Sequence, residues 1–298
     1  MKHIITIGNF DGLHLGHRKL LESVISLAHA HDLPSAVITF SIHPAFLLDK
    51  NANFQILIPP VHKEERLREL GIDRVQSLAF TKELSQTSAH DFLVHYLIPT
   101  FNPHTIVMGY DSHFGHGREG NLEFLKQHAG NHEYRCQYVP PYSDEEGTVS
   151  SSRIRNLLSQ GDITLANHLL GAPYRLYGKV VSGHGLGRKL GFPTANLQLE
   201  DAQQLVPAHG VYLSRACFDG TWFFGLTNIG SSPTVKSTPE TVVETYMLDF
   251  DQNIYDAPLQ VELLQRLREE ISFPNREALI AAMHADEARA RGLIRNLP

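Results

Sequence analysis

The chain has 298 residues, 42% of them hydrophobic and 19% charged, and a formal net charge of −6. That length suggests two domains, each with its own core, and the acidic balance predicts no basic face and argues against a nucleic-acid partner. No run of about 18 apolar residues is present, so no membrane span is expected. No signal pattern opens the chain, and Cys136 and Cys217 lie far apart outside any C-x-x-C pair, which reads as idle thiols of a cytoplasmic protein.

Ile4 to Ile7 is a short buried-strand run, and Leu20, Leu21, Val24, Ile25 and Ala28 mark one stripe of a following helix. Between them lies Gly8-Asn9-Phe10-Asp11-Gly12-Leu13-His14-Leu15-Gly16-His17. A glycine-rich turn between a strand and a helix aims backbone N–H groups and the positive helix end at one point, which makes it an anion site. His14 and His17, spaced His-x-Gly-His, add donors to the same place. Ser35–Phe40 is a second strand, stopped by Ser41-Ile-His43-Pro44. Lys63 to Leu70 reads as a charged helix closed by Gly71, and Arg74 to Phe80 as a third strand. Ser88 opens a helix with Asp91 three residues on; Thr105 to Met108 and Glu133 to Val139 are further strands. Alternating strands and helices predict a parallel sheet covered on both faces, with sites at the carboxyl ends of its strands.

In Val149-Ser150-Ser151-Ser152-Arg153-Ile154-Arg155 the serines read as helix caps. Arg153 and Arg155 sit poorly at a helix N-terminus unless an anion lies in front of them. A helix from Asp162 to Leu170 ends at Gly171 and Pro173, where the first domain, residues 1–172, is expected to close. After it, residues 173–298 are β-rich: runs at 174–181, 210–218, 221–229, 242–250 and 259–266, with Asp219-Gly220 as a hairpin signal. Five or six strands without intervening helices suggest a small antiparallel barrel or sandwich, followed by a helix capped near Asn275. The cluster Gly183-His-Gly185-Leu-Gly187-Arg-Lys189-Leu-Gly191 is not a dinucleotide fingerprint, because Phe192-Pro193 forbids the helix such a turn requires. Thr194 and Asn196 would offer two oxygens on one side of a strand to a hard cation such as Mg²⁺; a plain β-turn with a buried Thr is the alternative. Glu244, inside an apolar run, either faces water or serves a site.

These motifs resemble the bifunctional riboflavin kinase/FMN adenylyltransferase (FAD synthetase) family over nearly the whole chain. GNFDGLHLGH, TFSIHP, GYDSHFGHGREGN and VSSSRIR resemble its adenylyltransferase module; YGKVVSGHGLGRKLGFPTANL, GLTNIGSSPTV and VETYMLDF resemble its kinase module. The resemblance implies a Rossmann-like nucleotidyltransferase domain, then a six-stranded flavokinase barrel with a C-terminal helix, and the substrates ATP, riboflavin and FMN with Mg²⁺. His14 and His17 would bind ATP phosphates as pyrophosphate leaves, with Gly8, Asn9, Phe10, Asp11, Gly12 and Gly16 lining the pocket and Ser150, Ser151, Arg153 and catalytic Arg155 opposite. Phe40, His43, Pro44, Asp111 and Phe114 would hold flavin. In the barrel Gly183, Gly185, Gly187 and Lys189 would contact ATP, Thr194 and Asn196 would position Mg²⁺ and ATP, and Glu244 would be the base. Arg268 would lie in a flap over the flavin. Ser112, His113, Ser152 and Tyr246 depart from the family pattern, which motivates an alternative: a monofunctional member or a flavin-binding regulator. Histidines near His113 and His116 form a further, weaker metal candidate. Oligomeric state is not legible.

Overall fold

A computed structural model describes residues 1–48, 54–183, 187, 190–232 and 240–296. The chain forms two compact units, Met1–Ser151 and Ser152–Pro298.

The first unit carries β1 (His3–Ile7), α1 (Leu15–His31), β2 (Ser35–Phe40), α2 (Pro60–Glu69), β3 (Arg74–Leu78), a helical run α3 (residues 89–101, π-helical over Phe92–Leu97), β4 (Pro103–Gly109), α4 (Leu122–His132) and β5 (Arg135–Val139). The five strands pair in parallel in the order β3-β2-β1-β4-β5. Parallel neighbours need crossovers, and the helices supply them. Ile5, Ile7, Ala36, Ile38, Ile106 and Met108 pack in one core with Phe92, Leu93, Leu97 and Phe101 of α3 and Leu125 of α4. Ile4 and Val37, on the alternate positions, are equally buried, so both sheet faces are covered. The strand order turns back at β1, and in such sheets ligands collect beyond the carboxyl end at that point.

Local chemistry sets the boundaries. Ser88 caps α3, its hydroxyl accepting from Asp91 N at 3.0 Å. α2 starts at Pro60, three residues before the expected Lys63, because proline's fixed φ and missing N–H suit a first helical turn. β5 starts at Arg135, two residues late, because Glu133 takes a left-handed conformation (φ 54°) as the C-cap of α4. α4 itself, capped by the Asn121 side chain, is a helix that the sequence reading did not name.

The second unit begins within α5 (Ser151–Gln160) and continues with α6 (Ile163–Leu170), then β6 (Tyr174–Val181), β7 (Ala195–Leu199), β8 (Gly210–Phe218), β9 (Thr221–Ser232), β10 (Glu240–Met247), β11 (Pro258–Arg268) and α7 (Arg276–Ile294). Its strands close into an antiparallel barrel in the order β8-β9-β10-β7-β6-β11. Asp219 and Gly220 both have positive φ (47° and 75°), the turn that matches the twist of a two-residue hairpin. α6 is tied to the barrel by Asn167, whose amide donates to Leu263 O (2.8 Å) and accepts from Tyr174 N (2.7 Å). Ser214, Thr227 and Thr245 are fully buried and share hydroxyl hydrogen bonds. The alternate face carries Val211, Leu213, Leu226 and Tyr246, packed with Ala290 of α7.

Glu262 of β11 is 2% exposed and bound by Arg175 and Arg215, which lie beside it on the two neighbouring strands. Both guanidinium groups also stack on Trp222, at 5.1 and 4.8 Å. Glu262→Ala strands two cations against a buried surface and is expected to cost about 3–5 kcal/mol. Trp222 is the chain's single tryptophan, so a drop in the urea midpoint of its fluorescence transition checks this.

Candidate active sites

The segment between β1 and α1 is built against local preference. Phe10 and Leu13 take left-handed conformations (φ 52° and 48°), with Gly12 at 83°. Side chains there cost about 1–3 kcal/mol each, a strain that concentrates at functional sites. The surroundings hold it. Phe10 is buried over Gly8, where an added Cβ would lie 3.1 Å from its ring. Asp11 Oδ1 accepts from Leu57 N (2.9 Å) and Ile58 N (3.2 Å), and Ser151 Oγ donates to Asp11 O (2.9 Å).

His14 is the N-cap of α1, its Nδ1 accepting from His17 N at 3.3 Å. With Nδ1 accepting, the neutral ring carries its proton on Nε2. The two imidazoles stack 3.6 Å apart at 17°, and a Cβ on Gly16 would press to 3.1 Å on the His14 ring, so glycine is what lets the pair form. Burial first, then His14 and Lys63, hold the His17 pKa well below its ordinary value. His17 is therefore neutral at pH 7 and offers hydrogen bonds, not charge. Among the described residues, His17 Nδ1 and Asn9 Oδ1 are buried without a hydrogen-bond partner. Buried polar atoms are nearly always paired, so these two mark where a polar ligand would be received.

Lys63 opens the run expected as a charged helix, yet it is 5% exposed. Its ammonium donates to Asn9 O (3.0 Å) and Phe40 O (2.8 Å), at the carboxyl ends of β1 and β2. Ser150 and Ser151 lie at the start of α5, and Arg153 and Arg155 follow in its first turns.

Of the segments expected to hold flavin, His43 forms an aromatic cluster with Phe54 (4.5 Å) and Phe46 (6.3 Å), and its Nδ1 accepts from Ala45 N, turning the chain after Pro44. The Phe40 ring meets Phe80 edge-on at 5.3 Å. Asp111 is exposed and paired with Arg118 (2.8 Å). The Phe114 ring is buried among Phe92 and Phe124, and its backbone N–H and C=O both bond Gly120, so Phe114 braces this loop from the core side. Ser112 Oγ accepts from Gly109 N (3.0 Å) and His113 Nδ1 lies 3.1 Å from Asp111 O, so these two departures from the family pattern fold the loop onto itself.

In the barrel, register brings together residues that are far apart in sequence. Asn228 of β9 lies opposite Glu244 of β10, which lies opposite Asn196 of β7. The three alternate with the buried Thr227, Thr245 and Ala195, so they form a row on the outer face, and Glu244 is half-buried there. Gly183 and Gly187 close over this end. A Cβ on Gly183 would fall 2.3 Å from the Asn196 amide, and one on Gly187 would fall 3.1 Å from the Thr194 hydroxyl. Thr194 and Asn196, two residues apart, make a pair of hard, neutral oxygen donors. Such a pair suits Mg²⁺ completed by nucleotide phosphates better than a metal held by protein alone. No cluster of three or more His, Cys, Asp and Glu fit for a metal exists among the described residues, the His113/His116 candidate included. Gly185 and Lys189 lie outside the described residues. Arg268, at the end of β11, forms a bidentate pair with Asp286 of α7 (Nε to Oδ1 3.2 Å, Nη2 to Oδ2 2.8 Å), which ties it to the helix. Tyr246, another departure, packs edge-on against Phe192 at 5.2 Å.

Comparison with known proteins agrees with this architecture. An FAD synthetase family model matches residues 1–153 and a riboflavin kinase model matches residues 170–294. A bifunctional riboflavin kinase/FMN adenylyltransferase of Pseudomonas fluorescens is 38% identical over 97% of this chain and 92% of its own length. The chain belongs to the bifunctional riboflavin kinase/FMN adenylyltransferase family. A Bacillus subtilis relative of the same description is 32% identical over 99% of this chain and 94% of its own. A crystal structure described as a macrolide-efflux protein from Streptococcus pneumoniae shares the fold, with a TM-score of 0.88 and 31% identity over 97% of this chain and 94% of that one. No helix among the described residues is long and apolar enough to cross a membrane. Family members carry an FAD synthetase domain and a riboflavin kinase domain in one chain, and so does this one.

Proposed function

We propose that this transferase phosphorylates riboflavin to FMN with one ATP and adenylylates FMN to FAD with a second, releasing pyrophosphate. The observation that carries the reading is that each domain has its own converging set of polar groups: the His14–His17 pair with its unpartnered atoms, and the Asn228–Glu244–Asn196 row. We assign adenylyl transfer to residues 1–172 and phosphorylation to residues 173–298.

In adenylyl transfer a phosphate oxygen of FMN attacks the α-phosphorus of ATP and the bond to pyrophosphate breaks. The chain's part is alignment and charge stabilisation. His14, through Nε2–H, and neutral His17 donate hydrogen bonds to the phosphate oxygens, and the first N–H groups of α1 add their partial positive charge. Gly8, Asn9, Phe10, Asp11, Gly12 and Gly16 shape the turn, Ser151 ties to it through Asp11 O, and Ser150 is assigned to the phosphates on its motif. Arg153 and Arg155 are proposed as phosphate-binding residues on their motif alone. The half-buried aromatic surface at Phe40, His43 and Pro44 suits a flavin ring, and Asp111 is assigned to the flavin on its motif.

In phosphorylation the ribityl 5′-hydroxyl attacks the γ-phosphorus while Glu244 takes its proton, and ADP leaves. Asn196 and Asn228 flank Glu244 on the two neighbouring strands. Thr194 and Asn196 would hold Mg²⁺, which when bound neutralises phosphate charge and orients the transferring group. Gly183 and Gly187 leave room for these oxygens beside the nucleotide. The free thiols of Cys136 and Cys217 fit a cytoplasmic enzyme.

Incubating the full chain with riboflavin, ATP and Mg²⁺ and separating the flavins tests the reading. FMN followed by FAD is expected. The departures at Ser112, His113, Ser152 and Tyr246 favour a second reading, a monofunctional member or flavin-binding regulator; flavin binding with one or both products missing would select it.

A further inference from the structure

We propose that Lys63 is a further positioning residue for adenylyl transfer, its buried ammonium locking the phosphate turn at Asn9 to the flavin-side strand end at Phe40. The inference rests on assigning the His14–His17 turn to that reaction. The geometry is unusual for a lysine. The group enters from α2, is 5% exposed, and spends two of its three donors on backbone carbonyls, one in the turn after β1 and one at the end of β2. Asn9 O is shared further with Thr39 Oγ1 at 3.2 Å, so three segments meet at this one oxygen. The turn it holds contains the strained Phe10 and Leu13, which need outside support to keep their shape before substrate arrives. The residues it joins stand on both sides of the bond to be made: Asn9 beside the nucleotide phosphates and Phe40 beside the flavin.

The position has a chemical consequence. Burial lowers the Lys63 pKa from 10.5 to about 8, against the opposing pull of Asp11 on the turn and Glu64 on its own helix. His17 of α1, the other titratable group it acts on, is already neutral in this range, its pKa held low in part by Lys63. Above about pH 8 the side chain therefore becomes a neutral amine. Both carbonyl bonds lose their charge assistance and the site loses a fixed cation. Between about 8 and 10.5 the unfolded chain binds the proton and the folded chain does not. This group's contribution to stability thus rises with pH while its contribution to activity falls.

The test follows FMN-to-FAD and riboflavin-to-FMN conversion side by side, with ATP and Mg²⁺, in the full chain from about pH 7 to 9.5. Wild type is expected to lose kcat for FAD formation above about pH 8 without a matching loss in riboflavin phosphorylation. Lys63→Met should lower kcat for FAD formation by about 10²-fold with kinase activity retained, as expected for a misplaced reacting pair. Lys63→Arg, whose guanidinium keeps its proton, should move the alkaline fall upward by more than one pH unit. Lys63→Met that makes FAD at the wild-type rate overturns the inference, and so does an alkaline fall unchanged in Lys63→Arg. Should Lys63→Met not fold, the comparison of wild type with Lys63→Arg decides. Wild type that makes no FAD from FMN overturns the functional reading itself. Wild type that makes FAD beside an equally active Lys63→Met overturns this inference alone.

Discussion

Glu244→Gln is expected to cut conversion of riboflavin to FMN by about 10²–10⁴-fold, the usual share of a positioned general base, while conversion of supplied FMN to FAD continues unchanged. Glutamine keeps the shape of the side chain and its place between Asn196 and Asn228 but cannot take a proton. Because Glu244 lies on the outer face of the barrel and not among the buried Val243, Thr245 and Met247, the change leaves the core intact. Nucleotide binding should survive, since alignment of the phosphates, which contributes about 7–11 kcal/mol in well-oriented reactions, depends on other residues. Separate assays of the two steps on one purified protein, together with ATP titration, check this. Loss of both steps would mean that the chain does not carry two independent sites.

His14→Ala is expected to do the reverse, lowering FMN-to-FAD conversion by about 10²–10³-fold, as when a preorganised donor to a developing charge is removed, with FMN formation retained. His14 has two jobs, so the experiment must separate them. As N-cap of α1 it accepts from His17 N, and losing a cap costs about 0.5–2 kcal/mol. That is small against the roughly 5–15 kcal/mol that holds a domain, but it could loosen the helix start. His14→Asn restores a good cap acceptor without the imidazole. If His14→Asn melts like wild type and is as inactive as His14→Ala, the ring itself acts on the phosphates. Recovery of activity in His14→Asn would reduce His14 to a helix cap.

Local patterns carried much of the fold. The bounds read for 35–40, 174–181 and 210–218 are those of β2, β6 and β8, because each is an apolar run stopped by nearby turn residues. The Asp219-Gly220 hairpin and the Ser88 and Asn275 caps were legible for the same reason: their hydrogen bonds lie within three residues. What could not be read depends on distant partners. Lys63 sits in a charged run, VHKEER, and only the arrival of two strand ends beneath α2 makes it a buried cation. The Phe114 ring turns into the core through pairing with Gly120, six residues on, and the Arg268 guanidinium meets an aspartate on a helix that follows. Asn228 stood within a quoted motif but had no role until the register put it beside Glu244. For Glu244 the alternation implied an outward side chain, which is what the barrel has; that this outward face is a half-buried row of amides depends on strands β7 and β9.

The closed barrel has a consequence for how the kinase row ages under mutation. A one-residue slip of β10 against its neighbours would carry Glu244 to the inside and Thr245 to the outside, since side chains alternate along a strand. In an open sheet an edge strand can slip at modest cost. In this closed one β10 is paired on both sides, to β9 and β7, and a slip would have to propagate around all six strands. Point substitutions in the lining can therefore erode rate step by step, but single-residue insertions or deletions inside β10 should be eliminated outright. Length variation among functional variants should fall in the turns between strands.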